Sequence, residues 1–231
     1  MPARERAIAY VLNKSCPDWR DKMIHESSPG GRGLSPKLRR ECPGYVTSQF
    51  SPDVPLGEAH PTLGWRNGDL ENQTFEDGSF DVVLTQDVFE HLFNPGLAAR
   101  EIARTLKPGG ICVMTVPVVD PWGETVRRAS LVDGEIVHHL PEQYHGNPVG
   151  DGRSLVTVDW SYNIGSYLTA QSGIGFTVMD IDDMEQGIRD FANVVLYAKK
   201  FPPSTSESQA RANKGAAAAG CPNEISPYDG A

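Results

Sequence analysis

The segment Asp77–Pro117, DGSFDVVLTQDVFEHLFNPGLAAREIARTLKPGGICVMTVP, carries a complete strand–helix–strand signal. Its two apolar runs, FDVVL and ICVMTV, are short and rich in β-branched residues, as is typical of strands covered on both faces of a parallel sheet. Between them, an Asn-Pro pair at positions 94 and 95 predicts a helix start, and KPGG at 107–110 predicts its end. A strand, a helix and a second strand in this order imply a right-handed crossover, so the segment predicts an α/β protein with a doubly wound sheet.

Strand and helix signals continue to alternate on both sides of this segment. Upstream, KMIHES (22–27) and YVTSQF (45–50) predict strands, and between them SPKLRRE predicts a helix with Ser35 as its cap. Downstream, SYNIGSYLTAQSG (161–173) predicts a helix ended by its glycine, and NVVLYAKK (193–200) predicts a last strand that can form a hairpin. We therefore predict an N-terminal helical arm over 1–21, one domain over 22–200 and a disordered tail over 201–231, where Pro, Ser, Ala and Gly dominate.

The composition limits the class of function. The 231 residues carry a net charge of −9, which disfavours nucleic acid as a partner, and they include no apolar run long enough to cross a membrane. The N-terminus lacks the pattern of a secretory signal, so a cytoplasmic location is expected. The four cysteines are widely spaced without a C-x-x-C pair, which argues against a zinc ribbon and a disulfide framework. The oligomeric state stays open.

The stretch HESSPGGRG, His25–Gly33, nearly matches the dinucleotide-binding pattern G-x-G-x-x-G, with Ser28 in the first glycine position. The predicted helix start at Ser35 makes this loop longer than a dinucleotide turn, which is closed by the helix N-terminus. Glu26, at the end of the first strand, would repel a pyrophosphate but can pair with an ammonium group. A cofactor with an amino-acid part, a sulfonium and an adenosine therefore fits this segment better than NAD.

Taken together, these segments resemble one family. The FD that enters the strand, the FEHL after it and the LKPGG before the next strand closely resemble class I S-adenosylmethionine-dependent methyltransferases with a type 11-like domain. With IHESSPGGRG and NGDLENQTF, the resemblance covers roughly residues 20–120. It implies a Rossmann-like, doubly wound, mostly parallel seven-stranded sheet with helices on both faces, and S-adenosyl-L-methionine as cofactor.

The resemblance also implies positions for the cofactor. At the end of the second strand, where the family places an acidic residue for the ribose hydroxyls, this chain has Gln49-Phe50, and the first carboxylate beyond them is Asp53. The predicted cofactor-binding residues are Glu26, Ser27, Ser28, Pro29 and Gly30 for the methionine part, Asp53 for the ribose, Asp69 and Leu70 for the adenine, and Thr85 and Gln86 near the methyl group.

The acceptor is less defined by the sequence. The cofactor supplies the leaving group, so a catalytic side chain is not required; if a base exists, Asp87 and His91 are the candidates. The polar segment EIVHHLPEQYHGNPVGDG (135–152) predicts a structureless lid over the acceptor, with His139, Tyr144 and His145 as substrate-binding residues. Its histidines have neither a clear carboxylate partner nor a signature helix, so no metal is predicted.

Three functions remain open from the sequence. The first is a methyltransferase acting on a small-molecule or carbohydrate-like acceptor, with oxygen slightly preferred because no N-P-P-Y-like tetrapeptide follows the fourth strand. The second is an NAD-dependent oxidoreductase, suggested by the near match to G-x-G-x-x-G and by the acid at position 53, 20 residues after Gly33. The third is a catalytically inactive, methyltransferase-like binding module.

Overall fold

The computed structural model describes residues 1–147, 152–189 and 193–202. Its helices are α1 (Ala3–Ser15), α2 (Leu34–Glu41), α3 (Pro95–Thr105) and α4 (Ile164–Ser172), with 3-10 turns at Trp19–Asp21 and Phe89–His91. Its strands are β1 (Ile24–Ser27), β2 (Tyr45–Gln49), β3 (Arg66–Asn67), β4 (Phe80–Gln86), β5 (Leu106–Thr115), β6 (Val126–Arg127), β7 (Ala129–Val132), β8 (Glu135–His138), β9 (Tyr144–Gly146), β10 (Arg153–Leu155), β11 (Val158–Asp159), β12 (Phe176–Asp180) and β13 (Val194–Lys199).

Seven of these strands form one sheet in the order β12-β13-β5-β4-β1-β2-β3. The pairs among β1 to β5 are parallel, and β13 is antiparallel to both β5 and β12. The predicted doubly wound, mostly parallel seven-stranded sheet is therefore confirmed, as is the late hairpin. An antiparallel strand beside β5 distinguishes this sheet from the dinucleotide-binding fold, whose strands follow the order 3-2-1-4-5-6.

The two faces of the sheet bury separate hydrophobic clusters because side chains alternate along each strand. Val82 and Leu84 of β4 pack with α1 and α2, whereas Val83 packs with α3 and α4. Each fully buried side chain of this size stabilises the fold by roughly 1.5–3 kcal/mol. Cys112 of β5 is also fully buried, and burial raises its thiol pKa to about 12, which fits the buried free thiol expected from its apolar run.

The N-terminal helix α1 is integrated into the core. Its stripe of Ala7, Ile8, Val11 and Leu12 is buried, and it contacts β5 and β13. Met1–Lys200 forms one compact unit. Beyond Pro202, the predicted tail lies outside the described residues. Among the described helices, none combines the length and apolar composition needed to cross a membrane.

The start of α2 differs from its predicted position. Gly33, at φ 69°, precedes the first helical residue Leu34, so the prediction that Ser35 caps the helix is wrong. The Ser35 hydroxyl instead donates to Glu26 Oε1 at 2.9 Å and accepts from the Gly30 N–H at 3.0 Å. Because the helix begins directly after the glycines, the late helix start no longer argues against a dinucleotide. The order and direction of the strands, rather than the helix start, distinguish this fold from the dinucleotide-binding fold.

The segment 135–152 also differs from its prediction. It was expected to be a structureless lid, but its described residues form strands in two hairpins, β7 with β8 and β9 with β10. Residues 148–151 lie outside the described part of the chain. Backbone hydrogen bonds between strands thus order this polar segment, although its composition did not indicate strands. A smaller shift occurs at Leu106, which was predicted on the helix but begins β5.

Lowering the pH should destabilise this fold through His25. Burial against Phe75 and Phe80, with Arg66 nearby, lowers the pKa of His25 to about 3. The unfolded chain binds a proton below pH about 6.5 and the folded chain does not, so the free energy of unfolding should fall by about 2 kcal/mol between pH 7 and pH 5.

Urea unfolding of the wild type and of His25→Phe at both pH values isolates this contribution. The variant should lose about 2 kcal/mol less than the wild type over the same pH range, because phenylalanine has no proton to bind. Equal losses in the two proteins would contradict a neutral, buried His25.

Candidate cofactor and acceptor site

A cavity of about 1190 Å³ opens at the carboxyl ends of the parallel strands. It lies where β1 neighbours both β2 and β4. The strand order reverses at this point, because β2 and β3 lie on one side of β1 whereas β4 and β5 lie on the other. Ligands of open α/β sheets bind at such a switch point. The side of the cavity next to the sheet is lined by the loop and strand ends Ser27, Ser28, Pro29, Gly30, Gly31, Gln49, Phe50, Asp69, Leu70, Gln86 and Asp87.

The loop after β1 has the shape of a glycine turn although it begins with serine. Ser28 adopts φ 56°, a left-handed conformation that favours glycine. Its backbone N–H donates to the Ser48 carbonyl at 2.8 Å, which ties the loop to β2. The serine thus takes the backbone conformation of the glycine it replaces. The predicted cofactor-binding residues from Ser27 to Gly30 all line the cavity.

Glu26 lies beneath this loop, fully buried and not among the lining residues. One of its carboxylate oxygens accepts from Ser35 Oγ at 2.9 Å and from Gln86 Nε2 at 2.7 Å, and the other accepts from the Tyr45 hydroxyl. Burial raises the pKa of Glu26, against the effect of these three donors. The carboxylate therefore joins β1, α2, β2 and β4 below the cavity floor.

The end of β2 presents Gln49 where the family pattern has an acid. Gln49 and Phe50 line the cavity, whereas Asp53 is exposed on the following turn, outside the lining. On the neighbouring turn Asp69 and Leu70 both line the cavity, and Asp69 Oδ1 accepts from the Glu71 N–H at 2.8 Å. The structure thus brings the predicted adenine positions to the cavity and leaves the predicted ribose position outside it.

The end of β4 faces the middle of the cavity. Gln86 and Asp87 line it, while Thr85 is fully buried behind them. Asp87 has φ 53°, and its carboxylate pairs with the guanidinium of Arg4 at 2.8 Å. The N-terminal residues Pro2, Arg4 and Glu5 form part of the cavity wall. No local motif around Arg4 indicated this role, because it depends on how α1 packs across the sheet.

The outer half of the cavity is lined mainly by apolar side chains. They come from the turn after β4 and from the hairpin strands, and they are Leu92, Phe93, Leu131, Ile136 and Leu155. His139 and Tyr144 were predicted to bind the acceptor, but His139 contacts Ser130 at 2.9 Å and the Tyr144 hydroxyl donates to Glu142 at 2.7 Å, both outside the lining. His145 lies closer, next to the lining residue Gly146.

His91 lines the cavity between these two halves. Its Nδ1 donates to the Leu155 carbonyl at 2.8 Å, which fixes the ring against β10. The fully buried Glu90 carboxylate lies 3.6 Å from His91 Nε2 and 3.5 Å from His145 Nδ1. Hydrogen bonding to the Glu90 carboxylate, and then its negative charge, raise the pKa of His145 against the effect of burial. The predicted candidate bases Asp87 and His91 are thus both at the cavity.

Comparison with known proteins agrees with this architecture. Residues 46–114 match the family model described as a methyltransferase domain. An uncharacterized protein, YafE, of Escherichia coli is 42% identical over 67 residues, covering 26% of this chain and 32% of that protein. A ubiquinone biosynthesis O-methyltransferase of Cereibacter sphaeroides is 28% identical over 142 residues, covering 58% of this chain and 54% of that protein. The chain therefore spans from a third to about half of the length of these curated relatives.

A solved structure shares the fold at low sequence identity. The S-adenosylmethionine-bound amino pentose methyltransferase CalS10 of Micromonospora echinaspora superposes with a TM-score of 0.54 at 13% identity, covering 87% of this chain and 92% of that one. The match to a methyltransferase domain and the shared fold agree with the resemblance of the sequence to class I S-adenosylmethionine-dependent methyltransferases. The alternative of an NAD-dependent oxidoreductase rested on the glycine pattern and on Asp53. It loses support because the sheet differs from the dinucleotide-binding fold and Asp53 lies outside the cavity.

Proposed function

We propose that this protein transfers a methyl group from S-adenosylmethionine to an oxygen atom of a small molecule with an apolar portion. The observation that carries the proposal is the composite cavity. One half is built from the strand ends and the glycine loop, and the other half from the apolar residues of the hairpins. Asp87 and His91 lie between the halves, where a methyl group would pass from one ligand to the other.

The cofactor half offers groups suited to each part of S-adenosylmethionine. The backbone of the loop Ser27–Gly31 can approach the methionine part closely, because glycine and the left-handed Ser28 leave the turn open. Gln49 can donate to and accept from ribose hydroxyls. Leu70 and Phe50 provide apolar surface for the adenine ring, and Asp69 can accept from its amino group.

The reaction is an in-line displacement. The acceptor oxygen attacks the methyl carbon, the bond between carbon and sulfur breaks with its electrons left on sulfur, and the acceptor proton passes to a base or to water. The products are a methyl ether and S-adenosylhomocysteine. The chain's residues would contribute by holding the two reactants in line and by excluding water, with the Arg4–Asp87 pair closing the cavity over the reacting centre.

The acceptor half favours a molecule with both an apolar face and a polar edge. Its lining includes Leu131 and Ile136 of the β7–β8 hairpin, whose side chains are 50% and 48% exposed. An apolar acceptor would cover this surface and gain about 25 cal/mol for each Å² of apolar area removed from water. This lining supports an apolar small molecule more than a carbohydrate-like one.

Titration calorimetry with S-adenosylhomocysteine and with NAD tests the proposal, followed by transfer of a labelled methyl group to phenolic and aliphatic alcohols. We expect S-adenosylhomocysteine to bind at one equivalent, NAD to give no heat of binding, and label to appear in an alcohol. Tight binding of NAD would overturn the proposal. Cofactor binding without transfer to any acceptor would instead support an inactive binding module.

Gln49→Ala should weaken binding of S-adenosylhomocysteine about 5- to 10-fold, because a hydrogen bond to the ribose contributes on the order of 1 kcal/mol. Asp53→Ala is the matched control and should bind like the wild type, since Asp53 is exposed outside the cavity. Calorimetry on both variants measures the effect. A loss of affinity in Asp53→Ala alone would contradict the assignment of Gln49.

A further inference from the structure

Three side chains beside the acceptor half of the cavity form a cluster, and the proposed function names only one of them, His91. Glu90 and His91 lie on the turn after β4, and His145 lies on β9. The Glu90 side chain is 2% exposed, and among the described residues neither of its carboxylate oxygens has a hydrogen-bond partner closer than the two imidazoles at 3.5 and 3.6 Å. A buried carboxylate without close donors is strongly disfavoured unless it takes up a proton or a cation lies beside it.

The orientation of His91 indicates which of its atoms would contact such a cation. Its Nδ1 lies 2.8 Å from the Leu155 carbonyl, and a carbonyl oxygen only accepts hydrogen bonds, so Nδ1 carries the proton. In the neutral ring, Nε2 then holds a lone pair, which faces Glu90 Oε1 at 3.6 Å. Two electron-rich atoms face each other in a buried place. Metal-binding histidines commonly show this arrangement, with the second ring nitrogen donating to a backbone carbonyl.

The distances fit a coordination shell. Glu90 Oε1 lies 3.6 Å from His91 Nε2 and 3.5 Å from His145 Nδ1, and the three side chains offer ligand atoms that all lie within 4.8 Å of one another. Bonds of about 2.0–2.2 Å in a tetrahedral site place neighbouring ligand atoms roughly 3.3–3.6 Å apart. Only a small closure of the two imidazoles is needed to complete the shell.

We propose that Glu90, His91 and His145 bind a divalent transition-metal ion next to the acceptor half of the cavity. Two imidazole nitrogens and one carboxylate oxygen suit Zn²⁺, Fe²⁺ or Co²⁺, whereas Mg²⁺ and Ca²⁺ prefer shells made of oxygen. The sequence predicted no metal because the histidines at 138, 139 and 145 had neither a clear carboxylate partner nor a signature helix. The fold supplies the carboxylate from Glu90, 55 residues before His145 in the chain.

Three protein ligands leave at least one coordination position for a water molecule or for an oxygen of the acceptor. His91 lines the cavity, so that position can face the ligand space. An acceptor hydroxyl bound there would become more acidic and would release its proton to water before attacking the methyl group. This role rests on the proposed function, whereas metal binding itself does not.

The test is a titration of tag-free, chelator-treated protein with Zn²⁺ by calorimetry, and with Co²⁺ by visible absorption, in the absence of cofactor. The wild type should bind one equivalent, and Co²⁺ should give the intense absorption of a tetrahedral site. His91→Ala and His145→Ala should each weaken binding on the order of 100-fold or more. His138→Ala is the matched control, because His138 pairs with Glu142 at the same 3.6 Å but belongs to no such cluster among the described residues.

Both histidine variants should keep the circular dichroism spectrum of the wild type, because His91 and His145 are each partly exposed. Absence of stoichiometric binding, or equal affinity in the wild type and both variants, would overturn the proposal. Because no cofactor is present in the titration, its outcome is separate from binding of S-adenosylhomocysteine. If the protein binds the cofactor but no metal, the metal site is contradicted and the proposed function is unaffected.

Discussion

Replacing both Gly30 and Gly31 with leucine should reduce the affinity for S-adenosylhomocysteine at least about 100-fold, which corresponds to roughly 2.7 kcal/mol. Both glycines line the cavity. A Cβ atom at Gly30 would meet only ordinary contacts, the nearest at 3.6 Å, and one at Gly31 would meet no atom within 4 Å. Because both glycines line the cavity, at least one leucine side chain should enter the space assigned to the methionine part.

The same reasoning predicts that the double variant remains folded. Neither glycine has a positive φ, so leucine adds no backbone strain at these positions. Gly175→Leu provides the control, since Gly175 is exposed, lies outside the cavity and also has open space around its Cβ position. Calorimetry and thermal unfolding on both proteins give the comparison. Unchanged affinity in the double variant would show that the loop does not hold the cofactor.

Glu26→Ala should lower the free energy of unfolding by about 3 kcal/mol. The substitution leaves the donors of Ser35, Tyr45 and Gln86 without their shared acceptor in a buried place. These donors belong to α2, β2 and β4, so the loop above them should also lose its position and cofactor affinity should fall. Urea unfolding and calorimetry measure the two effects.

Glu26→Gln separates a positioning role from direct binding. The amide keeps the size of the side chain and one acceptor oxygen, so most of the stability should be retained, with a loss of about 1 kcal/mol. Since Glu26 lies beneath the loop, we expect cofactor affinity within about 3-fold of the wild type, well under the tenfold that 1.4 kcal/mol represents. A much larger loss would mean that the Glu26 charge reaches the cofactor ammonium group, as the sequence resemblance implies.

Much of the fold could be predicted because its signals are local. The β-branched runs of β4 and β5 indicate strands that are buried on both faces, and the Asn-Pro pair indicates the start of α3. Gly173 ends α4 in the left-handed conformation that its position suggested. The start of α2 was mispredicted because the hydroxyl of Ser35 bonds to Glu26, nine residues earlier in the chain, which a capping pattern does not reveal.

The site was predictable only in part, for the same reason. The glycine loop and the residues after β4 follow directly from strand ends, which parallel pairing brings to one edge of the sheet. Three other features depend on contacts between segments that are distant in the sequence. They are the ion pair of Arg4 with Asp87, Gln49 in place of an acid, and the cluster around Glu90. The hairpins of 135–152 were missed because polar composition resembles that of a loop, whereas backbone pairing decides the structure.

The most direct test of the central claim is a crystal structure with S-adenosylhomocysteine. We predict the methionine part at the loop Ser27–Gly30, the ribose beside Gln49, the adenine against Leu70, and the sulfur facing the space between Asp87 and His91. Free volume next to the sulfur should extend toward the β7–β8 hairpin, where the acceptor would lie. Binding of the cofactor elsewhere on the molecule, or a cavity that stays empty at saturating S-adenosylhomocysteine, would contradict the account.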